Sequence, residues 1–323
     1  SKLISVLIPA RNEEKNIVKC IEGVLSQNYK NKEIIILDDN SNDKTYLLAS
    51  SFVKENLKLL SGTELPSGWL GKNWACHQLA LEAKGEYLLF LDSDVELRPE
   101  LISSALYELK KSNSSLLSIF PTQIIKTFGE HLIVPLMNWL LLTFLPLNFV
   151  YSSTSKSFIA ANGQFMLWKN DDYQRLGGHN KVKNKVVEDM ELARLAKQNQ
   201  LKVKTMLGGE LIYCRMYNSF KESYIGFQKN FYAGFSVNPF LFLTIILFLL
   251  IVFIIPFFFI SKNLFSLLPL LLLIVSRLCI TIKSRQSVIL NIVLHPAQML
   301  FMFIIGIISM IKFQTNQLVW KQR

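Results

Sequence analysis

The chain has 323 residues, half of them hydrophobic and 18% charged, with 35 Lys and Arg against 24 Asp and Glu for a formal charge of +11. That length supports a sizeable globular core with residues to spare. The positive balance suits nucleic acid or an anionic membrane surface; no basic run stands beside a nucleic-acid motif, so nucleic acid is excluded as a partner and the apolar tail points to the membrane.

Leu3–Ile8 reads as a strand ended by Pro9, followed by a helix capped by Asn12, with Glu13 and Glu14 complementing its dipole. Ile17, Cys20, Ile21, Val24 and Leu25 recur at helical spacing and predict its buried face. Glu33–Leu37 is a second strand running into Asp38-Asp39-Asn40-Ser41, turn chemistry before another helix. This alternation implies a parallel sheet with right-handed crossovers. A third strand at Leu57–Leu60 leads through a Gly- and Pro-containing loop to Lys72 and a helix over Asn73–Lys84. A lysine just before a helix start suits a phosphate, or is a solvated loop residue.

The organising stretch is Gly85–Leu97, GEYLLFLDSDVEL. Its apolar run predicts a strand covered on both faces, Tyr87–Leu91. Asp92 and Asp94 then fall at the carboxyl end, where open α/β sheets bind ligands. Such oxygen donors suit Mg²⁺ or Mn²⁺ bridging to a substrate diphosphate, or form a solvated acidic turn. Arg98-Pro99 opens a helix to Lys111, and Leu116–Phe120 is the next strand.

His131–Val150 is almost uncharged and about the length of a bilayer span, interrupted by Pro135, Asn138 and Pro146. A single crossing would put its two flanks in different compartments. It therefore reads as lying in the interface or dipping in and returning, against a buried helix pair of the soluble domain. Phe158–Trp168 alternates as a strand, with Gly163 permitting close backbone approach. Asp171–Gly178 is a short helix and turn. Glu188 and Asp189 open another helix whose inner face is Leu192, Leu195 and Ala196, and strands at Lys202–Met206 and Leu211–Arg215 complete the domain.

Residues 219–237 space Phe220, Tyr224, Phe227, Phe231 and Phe235 three or four apart, predicting an amphipathic helix in the membrane interface. Residues 238–323 form a membrane region of two or three hydrophobic helices with a short basic tail. Pro239–Ile260 would span roughly 33 Å as a helix. Leu264–Ile282 is a second span, with Arg277 near one end able to snorkel, and Val288–Ile311 a third stretch broken at His295-Pro296. Arg277, Lys283, Arg285, Lys312, Lys321 and Arg323 cannot all be cytoplasmic after three full crossings, so the third stretch is re-entrant or the tail breaks the positive-inside rule. Cys20, Cys76, Cys214 and Cys279 lack zinc or disulfide spacing, and free thiols fit a cytosolic soluble part. A first residue of Ser rather than Met is consistent with a missing upstream segment, and no cleavable signal is visible.

Together these residues offer Asp39 as an acceptor for a base or ribose, Asp92 and Asp94 for a metal, and Asp189 as a general base. Asp38 and Asp39 could equally form a turn, and Asp189 could serve only the helix dipole. In order along the chain, SVLIPARNEE, IIILDDNSND, GEYLLFLDSD and LGGHNKVKNKVVEDMEL resemble the family-2 inverting glycosyltransferases over about residues 3–215. The resemblance implies an α/β fold of the GT-A type over residues 1–218, a mostly parallel sheet flanked by helices, followed by interfacial and transmembrane helices. It implies a nucleotide-sugar site of Pro9, Ala10, Arg11, Glu13, Asp39, Lys72, Asp92, Ser93 and Gly163. Asp94, with Asp92, would hold Mg²⁺ or Mn²⁺, and Asp189 would be the catalytic base with Glu188 beside it. UDP-sugars are the donors implied.

GWLGKNWACHQLA, the apolar C-terminal segments and the terminal VWKQR look like the bacterial carotenoid- and hopanoid-associated members. The implied protein is a multi-pass membrane enzyme with a cytoplasmic catalytic domain and a lipid acceptor. Processive synthases of the family carry Gln-x-x-Arg-Trp after this domain; here Gln228-Lys229-Asn230-Phe231-Tyr232 lacks the Arg and Trp, which favours a single transfer over polymer synthesis. The alternatives are a polyprenyl-phosphate glycosyltransferase and a non-catalytic membrane scaffold.

Overall fold

The computed structural model describes residues 2–54, 56–155, 157–235, 237–258 and 267–315. The chain divides into two compact units, Ser1–Thr122 with Leu147–Cys214, and Gln123–Pro146 with Arg215–Leu318. The division falls at Pro146, within the 131–150 stretch. Likewise the first unit ends at Cys214, four residues before the expected boundary.

The first unit is built on a seven-stranded sheet. Its strands are β1 (Ile4–Ala10), β2 (Lys32–Asp38), β3 (Leu57–Ser61), β4 (Tyr87–Leu91), β6 (Leu116–Phe120), β8 (Phe165–Lys169) and β9 (Val203–Leu207), in the order β3-β2-β1-β4-β8-β6-β9. Every pair is parallel except those of β8, which runs antiparallel to both β4 and β6. A small second sheet pairs β5 (Val95–Leu97) antiparallel with β10 (Ile212–Cys214), and β7 (Thr122–Gln123) lies at the boundary of the units. β1 and β4 are buried along their whole lengths, as expected of strands covered by helices on both faces.

Pro9 does not end β1. The strand registers with β2 as far as Ala10 but with β4 only as far as Leu7, so the proline stands where β1 has a neighbour on one side and costs no second ladder. Asn12 does not cap the first helix, which starts four residues beyond the expected place. It sits at φ 53° in the preceding turn, where its Oδ1 accepts from Asn42 N. The helix, α1 (Ile17–Leu25), buries Ile17, Cys20, Ile21 and Val24, whereas Leu25 is exposed. After α2 (Thr45–Ser50), α3 covers Gly71–Glu82, so Lys72 lies inside its first turn rather than before it. The helix α4 (Leu101–Lys111) begins two residues after Pro99. Phe158–Trp168 is half loop: only the Phe165 end forms β8, and Asn162–Gln164 makes a turn through the Asn162 side chain to Gln164 N at 2.8 Å.

Three short helices follow β7: α5 (Phe128–Ile133) and α6 (Pro135–Phe144) in the second unit, and α7 (Leu147–Ser152) in the first. The first unit is completed by α8 (Asn170–Leu176) and α9 (Glu188–Gln198).

The second unit adds α10 (Phe220–Phe235), α11 (Pro239–Phe258), α12 (Leu268–Ser284), α13 (Val288–Val293) and α14 (His295–Gln314). Its core joins Ile133, Leu136 and Trp139 to Phe231, Phe242, Met299 and Ile305. The aromatic stripe of α10 is turned into this core: Phe231 and Tyr232 are buried, Phe220 packs on Phe301, and Tyr232 N donates to Ser309 Oγ at 2.9 Å. Among the described residues two helices are long and apolar enough to cross a membrane, α11 and α14. α12, expected as the second span, has 17 residues, and Arg277 on it does not snorkel; it is 1% exposed. His295-Pro296 does break the third stretch, at the junction of α13 and α14. Ile260, Leu264, Lys321, Arg323 and the VWKQR terminus lie outside the described residues.

Candidate active site

The site is assembled by sheet register. Ala10 of β1 pairs with Asp38 of β2, and Leu7 with Phe90 of β4, so Arg11, Asp39 and the Asp92–Asp94 segment leave the same carboxyl edge. Antiparallel β8 enters from that edge, with Phe165 opposite Leu91, which puts the Asn162–Gln164 turn beside Asp92. Asp92 N donates to Gln164 O at 3.3 Å.

Lys72 lies at the centre. Its Nζ is 2.9 Å from Asp92 Oδ1, 3.0 Å from Asp92 Oδ2 and 3.1 Å from Glu188 Oε1. Burial alone would lower this lysine's pKa, but Asp92 and then Glu188 outweigh it and hold the pKa well above the ordinary value. Lys72 is thus committed to two carboxylates rather than presented on a loop. The Gly163 backbone crosses close by. A Cβ there would lie 3.0 Å from Lys72 Nζ and 3.3 Å from Glu188 Oε1, so glycine is what lets the turn approach. Gly163 N donates to Asp189 Oδ2 at 2.8 Å, and Met190 N to Asp189 Oδ1 at 2.7 Å.

Asp92, Asp94 and Asp189 are half-buried, open to solvent yet surrounded by protein and by one another. Burial, then Glu188, pushes the Asp189 carboxyl up to about 7. Burial, then Asp92 and Glu13, pushes Asp94 up to about 6. Burial also raises Asp92, against the pull of Lys72. Asp94 accepts from the Gln164 carboxamide at 3.3 Å, and that carboxamide also reaches Cys214 Sγ at 2.9 Å. A carboxyl whose pKa is raised by burial and then by neighbouring acids is one that a cation would relieve. Among the described residues no three His, Cys, Asp or Glu form a metal cluster. Two aspartates fit a divalent ion that takes its remaining ligands from water and a diphosphate.

Asp39 is placed differently from its expected role. It is fully buried against Arg11, whose guanidinium stands 4.0 Å from Asp39 Oδ2 and donates to the Asp39 carbonyl. Cys76, on α3, is a buried thiol pushed up by burial. Pro9, Ala10 and Ser93 are buried at the strand ends. Glu13 acts on both Asp92 and Asp94. Sequence spacing did not single out Gln164, Cys76 or Cys214. Gln164 stands next to Gly163, yet only the antiparallel insertion of β8 aims it at Asp94. A separate hollow of about 550 Å³ opens at the opposite edge of the sheet beside Lys2, Lys84, Tyr87, Lys110 and Lys169, away from these acids.

Residues 5–173 match glycosyl transferase family 2. The chain belongs to that family. Among curated proteins it is 33% identical over 251 residues to a 4,4'-diaponeurosporenoate glycosyltransferase of Staphylococcus haemolyticus, covering 76% of this chain and 65% of that protein. It is 28% identical over 239 residues to the protein of the same name from Staphylococcus aureus, covering 72% and 62%. The aligned part thus spans somewhat less than two thirds of either relative. A mannosyltransferase from Pyrobaculum calidifontis, solved with GDP-Man and Mn²⁺, superposes with a TM-score of 0.61 at 15% identity, covering 97% of this chain and 87% of that one. This likeness establishes the GT-A fold of the family-2 chain.

Proposed function

We propose that this family-2 chain is a membrane-bound inverting glycosyltransferase that moves one sugar from a nucleotide-diphosphate sugar to a lipid acceptor. The observation that carries the reading is the joining of Asp189, Glu188, Lys72, Asp92 and Asp94 around one glycine turn. A general base works best with a pKa near the working pH, and Asp189 at about 7 meets that condition. It takes the proton of an acceptor hydroxyl as the acceptor oxygen bonds to the anomeric carbon. The bond from that carbon to the diphosphate breaks on the opposite face, which inverts the configuration. An acceptor carboxylate arrives already ionised and needs no proton removed.

Lys72, tied to Asp92 and Glu188, fixes the strand-end acid and the helix-start acid in mutual register, and it borders the place of a leaving diphosphate. Asp94 and Asp92 are the residues that would hold Mg²⁺ or Mn²⁺, which when bound neutralises charge developing on the diphosphate. Gln164 keeps the Asp94 carboxylate oriented for that role. Arg11 and Glu13 stand at the strand ends where a nucleotide would rest, with Asp39 buried behind Arg11, and UDP-sugars are the donors we favour.

Two helices of spanning length among the described residues support a membrane location; we place the α/β unit on the cytoplasmic side of a multi-pass chain. The relatives' named acceptor, diaponeurosporenoate, falls in the proposed class of apolar hydroxyl or carboxylate acceptors. Gln228 accepts from Lys312 Nζ at 2.7 Å, so the place of the processive motif is given to holding α10 on α14, in keeping with one transfer. The test is incubation of the purified full chain with radiolabelled UDP-sugar, Mn²⁺ and membrane lipid extract. We expect a glycolipid carrying one sugar whose formation stops in Asp189→Asn; long polymers, or undiminished transfer in that variant, would refute the proposal.

A further inference from the structure

The second unit holds a buried cation for which its own sequence supplies no carboxylate. From Ser223 to the C-terminus there is no Asp or Glu, while eight Lys and Arg occur. The unit's two acids are engaged elsewhere. Glu130 accepts from Arg215 at 3.0 Å and from Lys126 N at 2.7 Å, and Glu222 accepts from Asn218 N at 2.8 Å.

Arg277 lies on the inner face of α12 with Leu273, Ile280, Thr281 and Ser284. Its Nε donates to His295 Nδ1 at 2.6 Å, and its guanidinium carbon lies 5.0 Å from the centre of the Trp139 ring. A histidine accepting at Nδ1 is a neutral imidazole with its proton on Nε2, so His295 contributes no charge. The π face of Trp139 offsets part of the cost of burying the cation. Among the described residues Arg277 Nη2 nevertheless finds no hydrogen-bond partner, and neither do Trp139 Nε1 and His295 Nε2. A guanidinium does not shed its proton, and a buried charge without a counter-charge is expensive. An unpaired donor on the cation itself, with unpaired ring donors on Trp139 and His295, specifies an acceptor that bears negative charge.

The surroundings show where such a group would enter. His295 is walled by Trp139, Phe253 and Phe257, with ring centres 5.9, 6.0 and 6.0 Å away. Phe253 and Phe257 of α11 are only half-buried, so this wall reaches the outer surface of the helical unit.

We infer that Arg277 and Trp139 form a binding site for the anionic headgroup of a membrane amphiphile, a phosphate or carboxylate accepting from Arg277 Nη2 and Trp139 Nε1. The inference rests on the membrane reading of the second unit given above.

The test uses the full chain in neutral detergent, with thermal unfolding followed on adding phosphatidylglycerol, phosphatidylcholine or inorganic phosphate. About 0.5 M NaCl screens exposed lysines and leaves a buried pair largely intact. Phosphatidylglycerol should raise the midpoint by several degrees at that salt, phosphatidylcholine should not, and Arg277→Met should abolish the rise. Trp139→Phe keeps the ring face, loses the N–H, and should at least halve the rise; it serves if Arg277→Met does not fold. An equal rise with phosphatidylcholine, or an undiminished one in the variants, overturns the inference. Inorganic phosphate acting as well as the lipid overturns the headgroup source. Recovery of the chain from cells in a carbonate-soluble fraction would instead defeat the membrane reading itself.

Discussion

The two units bury charge in opposite ways. In the α/β unit Lys72 is enclosed by carboxylates from two other elements, at 2.9 and 3.1 Å. In the helical unit Arg277 has, among the described residues, a neutral imidazole and an indole face but no carboxylate. Compensated buried charge ties elements together and shifts the acids around it, which is what a catalytic centre needs. Uncompensated buried charge marks a place that is complete only with a partner from outside the chain.

The largest expected effect that bears on this contrast is on the acid side. Asp189→Asn should cut transfer to a hydroxyl acceptor by about 10²- to 10⁴-fold, the usual worth of a positioned base. It should also be more heat-stable than the parent at pH 8. The sign follows from linkage: a carboxyl raised to about 7 in the fold, against an ordinary value near 4, costs stability as pH rises above 4, with the cost complete above 7. Unfolding midpoints of the two proteins should therefore converge at pH 4 and separate by pH 8. With the parent enzyme, transfer to a hydroxyl should climb about tenfold per pH unit below 7 and level off above it. The same limb persisting in Asp189→Asn would remove Asp189 from the role of base.

Next in size, Lys72→Met leaves Asp92 and Glu188 facing each other without a cation and should cost about 3–5 kcal/mol. Arg277→Met, by contrast, strands no carboxylate and should change stability in lipid-free detergent by no more than about 1 kcal/mol. Chemical denaturation of both variants measures the difference directly, and equal losses would dissolve the contrast between the units. Smaller still, Gln164→Ala should weaken Mn²⁺-dependent binding of UDP by about 10- to 100-fold while leaving the fold intact, since it removes only a group that orients Asp94. Calorimetric titration with and without Mn²⁺ would show it. Unaltered metal dependence would mean that Gln164 serves Cys214 alone.

Much of the α/β unit is legible in the amino-acid order. Tyr87–Leu91 reads as a covered strand because an uninterrupted apolar run opened by Gly85 admits little else, and a parallel sheet carries its strand-end acids to one edge. Asp92 and Asp94 were readable as strand-end acids for that reason, and Asp189 as an acid at a helix start. Lys72 was visible as a residue at a helix start, but its two ion pairs were not. Asp39 looked like an open acceptor because nothing local reveals that Arg11 will cover it.

What sequence by itself determined is the local and periodic: strands, most helices, the GT-A pattern of motifs and the acid-free apolar tail. Tertiary structure decided the rest, because it depends on pairings between residues far apart in the chain. Strand order placed β8 backwards beside β4 and so aimed Gln164 at Asp94, 70 residues away. Helix packing turned Arg277 inward onto Trp139 and His295 when hydropathy alone would let it reach for water. Periodicity fixes which face of an element is apolar; only the packed neighbours fix what a polar group on that face will meet.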